Sequence, residues 1–288
     1  MRSVLNVVGP DALSGVGAPY LPDNGVPRVL SPDTAFEIEF GGDPARALRH
    51  ARAFNAGRGL DINVVPADNR RKKLLIADMD STIIACECLD ELADMAGLKP
   101  RIAAITERAM RGEIAFEPAL RERVALLKGL PLDALARTLR ERVQLNAGAR
   151  ALVATMKAHG ARTLLVSGGF AFFTAHVARD VGFDGHRANV LLHDGEVLTG
   201  EVAEPILGRE AKLAALEEAV ADLGLSHDDV LAVGDGANDL AMLGRAGLGV
   251  AFHAKPIVAD AARARIDHGD LRALLYLQGY GDAEIVEG

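Results

Sequence analysis

Tryptophan is absent from the 288 residues, and all aromatics together make up only 4% of them. A core without large rings has to be aliphatic, built from Ala, Val, Leu and Ile. Cysteine is almost absent too: Cys86 and Cys88 are the only two. One C-x-C pair forms neither a disulfide framework nor a four-ligand zinc site, so a reduced, cytoplasmic setting is expected. Positive charge is in deficit, with 32 Lys and Arg against 40 Asp and Glu and a net charge of −8. That balance argues against a nucleic-acid partner, which is met by a basic patch. No uninterrupted apolar run approaches the ~18 residues of a membrane span, and MRSVLNVVGPDALSG lacks the long apolar centre of a secretion signal. No repeat and no low-complexity run is found. What remains is ordinary for a globular protein, 49% apolar and 25% charged, with room for one large domain or two to three smaller ones.

Residues 1–70 read as a small α+β N-terminal domain. A strand pattern over Ser3–Val8 gives way to a Gly/Pro-rich stretch, 9–32. Then follow a strand over Thr34–Phe40, a helix opening on Asp43-Pro44, and a strand in LDINVV. GVGAPYLPDNG is Gly-rich but lacks the lysine and the strand–helix context of a phosphate loop, and reads as loop. PADNRRKK, 66–73, is the linker. Residues 71–288 read differently. LLIAD is a buried strand, and four helices follow between Glu87 and Arg142. Three of them end on Gly97, Gly112 and Gly129, where a helix terminus favours glycine. They form an all-helical insertion at about 85–146. Strand and helix then alternate through RTLLVSGG, GREAKLAALEEAVADLG, DDVLAVGDG and LGVAF. HRANVLLHDGEVLTGEV reads as a hairpin turning at Asp194-Gly195. Such alternation predicts an α/β fold with a doubly wound parallel sheet, which binds ligands at the carboxyl ends of its strands.

Three of those ends carry reactive side chains: Asp78-Met79-Asp80, Ser167-Gly168-Gly169, and Gly234–Asp239, which holds Asp235 and Asp239. Lys212 lies on the helix before the last of them. Any one of these residues alone is commonly a helix cap. Together they bring four carboxylates, a hydroxyl and a lysine to one edge. Crowded carboxylates call for a cation, and with no His or Cys cluster at hand a hard, oxygen-liganded ion such as Mg²⁺ fits. A carboxylate can accept a phosphoryl group if cations offset the repulsion. Its neighbour two residues on, its pKa raised by like charge, can then protonate the leaving alkoxide. Asp78 as nucleophile and Asp80 as acid/base satisfy this scheme.

DMDST, SGG, Lys212 and GDGAND, in this order, resemble the four motifs of the haloacid-dehalogenase superfamily over roughly residues 73–280. The helices from CECLDELA onward resemble the cap of its phosphoserine phosphatase family. The resemblance implies a helical-bundle cap and the following roles. Asp78 is nucleophile and metal ligand; Asp80 is acid/base and ligates through its carbonyl; Asp235 is the third Mg²⁺ ligand. Ser167 and the N–H of Gly168 bind the phosphoryl group, and Lys212 holds it against the nucleophile. Asn238 and Asp239 position ligands or metal waters. Glu87 and Arg123 read the amino-acid end of the substrate, and Met110 and Phe116 wall the pocket. Phosphoserine, with an ammonium and a carboxylate beside its phosphate, asks for one such anion and one such cation. Without the resemblance, Glu87 is an ordinary first-turn acid and Arg123 an ordinary solvated helix residue. Cys86 and Cys88 are taken as structural, and none of the scattered histidines as a ligand. The expected activity is Mg²⁺-dependent hydrolysis of phosphoserine, the last step of serine biosynthesis, with a small-molecule partner, no membrane and no nucleic acid; a homodimer is compatible with the sequence. The N-terminal unit resembles a degenerate form of the ACT-type domains attached to some family members, departing from them in its Gly/Pro-rich first-helix region.

Rival expectations differ in their demands. A dehalogenase has no need of Asp80, and a P-type ATPase would carry Lys there and membrane spans. A phosphotransferase, or a phosphatase for another small phosphomonoester, would use the same set. A serine-sensing binding protein with vestigial catalysis would bind serine and release no phosphate.

Overall fold

The structure, a computed structural model, describes residues 2–13, 25–111 and 113–288. The chain opens with β1 (Ser3–Val8), β2 (Arg28–Ser31), β3 (Ala35–Phe40), α1 (Pro44–Phe54) and β4 (Asp61–Pro66). Helix α1 starts where the Asp43 carboxylate accepts the N–H groups of Ala45 and Arg46, with Pro44 in the first turn. The four strands form an antiparallel sheet in the order β2-β3-β1-β4. Strand β2 was not expected: it is a four-residue edge strand with Arg28 and Val29 exposed, inside a stretch that reads as loop. Order and directions match a βαββαβ unit whose second helix is α1. The place of its first helix, and the loop reading of GVGAPYLPDNG, fall largely on residues 14–24, outside the described residues.

One face of this sheet (Leu5, Val7, Phe36, Ile38, Ile62) packs under α1. The other (Val4, Val8, Ala35, Val65) joins the main core together with Leu274 and Tyr276. Polar contacts fasten the seam. Asp61, buried, accepts the N–H groups of Asp267 (2.6 Å) and Gly269 (2.7 Å). Buried Glu37 pairs with Arg70 of the linker at 2.7 Å. The Asn63 amide donates to the carbonyl of Arg265 and accepts its N–H, both at 2.9 Å.

After β5 (Leu74–Ala77) come the cap helices α2 (Cys88–Met95), α3 (Lys99–Met110), α4 (Phe116–Ala125) and α5 (Leu132–Arg142). The chain returns through α6 (Ala149–Ala158), β6 (Arg162–Phe170), α7 (Ala171–Val181) and β7 (Gly185–Asn189). Next are β8 (Leu191–Asp194), β9 (Val197–Val202), α8 (Arg209–Leu223), β10 (Val230–Gly234) and α9 (Leu240–Arg245). The chain continues with β11 (Leu248–Phe252), α10 (Pro256–Ala261), β12 (Ala264–Ile266) and α11 (Ala273–Leu277). Six strands make a parallel sheet in the order β12-β11-β10-β5-β6-β7. β5, β10 and β11 are buried throughout and read LLIA, VLAVG and LGVAF, as parallel strands covered on both faces do. The chain leaves β5 toward β6 on one side and later fills β10 on the other, which opens a ligand crevice at the carboxyl end of β5.

The expected hairpin is shorter than its sequence suggested. Residues 185–189 belong to the main sheet, and only β8 and β9 form the hairpin, turning at Asp194-Gly195 with Gly195 at φ +55°. The cap enters and leaves through two adjacent segments. Ala85 N–H donates to Gln144 O (2.9 Å) and Asn146 N–H to Ile83 O (2.9 Å). A second seam joins the cap loop to β9, where Gly129 N–H donates to Leu198 O (2.8 Å) and Leu198 N–H to Leu130 O (2.9 Å). Gly97 follows the end of α2 at φ +70°, whereas α4 already stops at Ala125 and Gly129, at φ +79°, closes the turns after it; the third expected stop, Gly112, lies outside the described residues. No helix among the described residues is long and apolar enough to cross a membrane.

Candidate active site

At the end of β5 the backbone leaves the ladder by a single π-type turn. Asp78 N–H still reaches Val233 O (3.0 Å), but Ile84 N–H closes back on Met79 O at 3.0 Å. Ser81 sits inside this turn at φ +56°, a left-handed conformation that costs a non-glycine residue strain and is frequent at functional sites. The turn sends two carboxylates to two different neighbours. Asp78 Oδ1 meets Lys212 Nζ at 2.7 Å. Asp80 Oδ2 accepts the Ser167 hydroxyl (2.9 Å), and its Oδ1 accepts Cys88 N–H (2.8 Å).

Lys212 is 1% exposed and also holds Asp239 Oδ1 at 2.7 Å, while Asp239 Oδ2 accepts Gly236 N–H at 3.0 Å. A Cβ at Gly234 would collide with the Asp239 carboxyl, so the glycine at the end of β10 makes room for that acid. One oxygen each from Asp78, Asp235 and Asp239 lies within 4.8 Å of the others. Burial, then the Asp239 charge, pushes Asp78 well above the usual carboxylate range and Asp235 up to about 6. Burial alone would lower Lys212, but Asp78 and Asp239 outweigh it and raise it. Three carboxylates against one ammonium leave negative charge uncompensated, and three hard oxygen donors fit a divalent cation. Asp239, expected only to position ligands, thus has its own carboxylate in this group. The Asp80 carboxylate stands apart from it, beside Ser167, and burial raises its pKa against the hydrogen bonds it accepts. A saturating divalent cation should raise the melting temperature by several degrees, since ligand at ~100 times its Kd adds about 2.7 kcal/mol; scanning calorimetry of wild type and Asp235→Asn checks this, and the variant should lose most of the shift.

Two of the expected substrate readers stand on the cap, and the charge of Glu87 reaches Arg123. Glu87 opens the cap helix α2 and accepts the Ser81 hydroxyl at 2.7 Å. Crowding by protein, then the charges of Asp80 and Asp235, pushes it up to about 7. Arg123 is half-buried on α4 and donates from Nε to Ala119 O (3.2 Å). Burial lowers its pKa, and Asp90 and Glu87 work against that. Phe116, at the start of cap helix α4, reaches down onto the strand ends: a Cβ built at Gly168 would be 3.5 Å from its Cζ, and one at Gly208 3.3 Å from its Cδ1. The Met110 side chain lies outside the described residues. Asn238 sits in the turn after β10 against Gly236. Gly169 N–H donates to Ser167 Oγ at 2.8 Å, orienting that hydroxyl toward Asp80.

Three participants escaped the sequence reading. Thr82, fully buried, reaches Asp235 Oδ1 at 3.5 Å, and Ser81 ties the catalytic turn to Glu87. Both stand inside DMDST, where their position alone was the available signal. Cys88 contributes its backbone N–H. Its thiol is buried and pushed up by the neighbouring Cys86 thiol and by burial, consistent with a structural side chain.

A doubly wound sheet that gathers four carboxylates and a serine at its strand ends, with a lysine from the flanking helix α8, beneath a helical cap, defines a cation-assisted hydrolase domain. The model of the haloacid dehalogenase-like hydrolase family matches residues 75–244, and the chain belongs to that family. A curated phosphoserine phosphatase of Polaromonas sp. is 47% identical over 226 residues, 76% of this chain and 96% of that one. Among solved structures, a haloacid dehalogenase family hydrolase of Salmonella enterica serovar Typhi superposes with a TM-score of 0.87 at 29% identity, covering 96% of this chain and 98% of its own. A phosphoserine phosphatase solved as a phospho-aspartyl intermediate analogue superposes at 0.66 with 38% identity, covering 72% and 98%.

Proposed function

We propose that the protein hydrolyses O-phospho-L-serine to L-serine and phosphate through a phosphoryl group carried on Asp78. The observation that carries this reading is a cap anion and a cap cation, Glu87 and Arg123, above a floor built from Asp78, Ser167 and Lys212. That is the charge pattern of an amino acid bearing a phosphate. Asp78 Oδ attacks phosphorus, the P–O bond to serine breaks, and the leaving alkoxide takes a proton from Asp80, whose raised pKa suits an acid. Water then attacks the phosphoryl group, gives its proton to Asp80, and the Asp78 carboxylate is restored. Ser167, the N–H of Gly168 and Lys212 hold the phosphoryl oxygens. Glu87 takes the ammonium and Arg123 the carboxylate, while Phe116, with Met110, excludes water. Mg²⁺ would be held by Asp78, Asp235 and the Asp80 carbonyl, with Asn238 behind them and with Asp239 adding its charge to the group while its oxygens stay on Lys212 and Gly236 N–H, and would neutralise charge on the transferring group.

The test is a paired assay. Arg123→Ala should lower kcat/KM on phosphoserine on the order of 100-fold, the cost of removing one partner from a buried charge contact, and change p-nitrophenyl phosphate turnover less than about threefold, because that substrate has no carboxylate to hold. Equal losses on both would refute the substrate assignment and leave the phosphatase assignment standing. Phosphate release that falls below serine release when an acceptor alcohol is added would mark a phosphotransferase instead.

A further inference from the structure

Asn189 ends β7 and takes no part in the chemistry above, yet it is 2% exposed and every hydrogen-bonding feature of its amide is engaged. Nδ2 donates to the carbonyls of Gly168 (2.9 Å) and Leu207 (3.1 Å), and Oδ1 accepts the N–H of Leu207 (2.7 Å). A primary amide offers two donors and an acceptor, and here all are spent on two backbone segments. Gly168 is the middle of the Ser167–Gly169 strand end. Leu207 leads through Gly208 into α8, whose first turn carries Lys212 with its N–H on Gly208 O (3.4 Å). Besides these hydrogen bonds, α8 packs on β6 through Val166, Ala215 and Leu216, farther along the helix than Lys212. The β6–β7 ladder is irregular between Val166 and Phe170, and residues 203–208 lie in no helix or strand. From the cap side, Phe116 rests on the same two places, Gly168 and Gly208.

We propose that Asn189 is a positioning residue for the phosphoryl-binding floor: it fixes the serine of one strand end relative to the lysine of the following helix, so that both close on the same phosphoryl group. The inference rests on the proposed function only in that a phosphoryl group binds there.

The experiment uses the full-length, Mg²⁺-saturated enzyme with Asn189→Ala and Asn189→Asp. The Asp variant keeps the shape and the acceptor for Leu207 but donates to neither carbonyl. The readouts are inhibition by inorganic phosphate and kcat/KM on phosphoserine and on p-nitrophenyl phosphate. The phosphate inhibition constant should rise about tenfold or more, and kcat/KM should fall by a similar factor on both substrates, since a misplaced binding group costs rate whatever the leaving group. The melting temperature should drop by only a few degrees. A merely structural residue would lower the melting temperature and leave phosphate affinity in the folded fraction unchanged. A folded variant with wild-type phosphate affinity, or a loss confined to phosphoserine, overturns the proposal, as does failure of both variants to fold. Wild type that cleaves p-nitrophenyl phosphate but not phosphoserine refutes the function proposed above and leaves the phosphate readout for Asn189 intact.

Discussion

Asp78→Asn should reduce phosphate release from phosphoserine by ~10⁴-fold or more, the scale seen when a nucleophile is removed from a concerted site, while the chain stays folded. The amide keeps the size of the carboxyl and an oxygen for Met79 N–H, which Asp78 Oδ1 now accepts at 2.8 Å. What it loses is the anion that attacks phosphorus. Burial and Asp239 already disfavour that anion in the resting site. Its neutral replacement therefore relieves repulsion and should leave the melting temperature of the metal-free protein unchanged or slightly higher. Single-turnover phosphate release, paired with calorimetry, reads both effects. Residual activity above about 1% of wild type in a folded Asn variant would place the nucleophile elsewhere.

Lys212→Met should damage both activity and stability. The ammonium is the shared partner of two buried carboxylates, at 2.7 Å from each, and methionine fills its volume without its charge. Breaking a buried pair by removing one member costs about 3–5 kcal/mol, because the other charge stays behind. Loss of a cation on the transferring group removes a further ~10²–10³ in kcat. The stability deficit has a pH signature. Without the lysine, Asp78 is raised still further above its unfolded value, so the folded state binds more protons than the unfolded one and regains stability as pH falls. Urea titrations of wild type and variant at pH 7.5 and 5.5 should therefore show a smaller gap at the lower pH. A gap that widens on acidification would mean that Lys212 does not neutralise these carboxylates.

Much of the fold was legible because its strands differ in kind from its helices. LLIA, VLAVG and LGVAF are uninterrupted apolar runs, the first two followed directly by Asp78 and Asp235, and α7 and α8 stop at Gly182 and Gly224. β2 was not legible: four residues, half of them exposed, among Gly and Pro carry no periodicity. Nor could HRAN be separated from the hairpin. No turn residue divides it from VLLHD, and only the pairing with β6 shows that the chain changes sheets at Val190. At the site, the reactive side chains were readable since several rare residue types recur at strand ends. Glu87 and Arg123 were visible only through resemblance, because a helix surface is full of such charges. Thr82 and Asn189 act through hydrogen bonds to residues distant in sequence, and Ser81 through one to Glu87 six positions on; a sequence holds no trace of these partners.

The pair of hydrogen bonds between the Asn63 amide and Arg265 has a consequence for solubility. β12 is the outermost strand of the six-stranded sheet, and an open strand edge is a template for joining another chain. Asn63 covers that edge as a strand partner would, with a side chain in place of a backbone. The N-terminal sheet thereby works as an edge guard as well as a packing layer. A chain shortened to the catalytic part would keep every reactive residue and leave the β12 edge open to pairing.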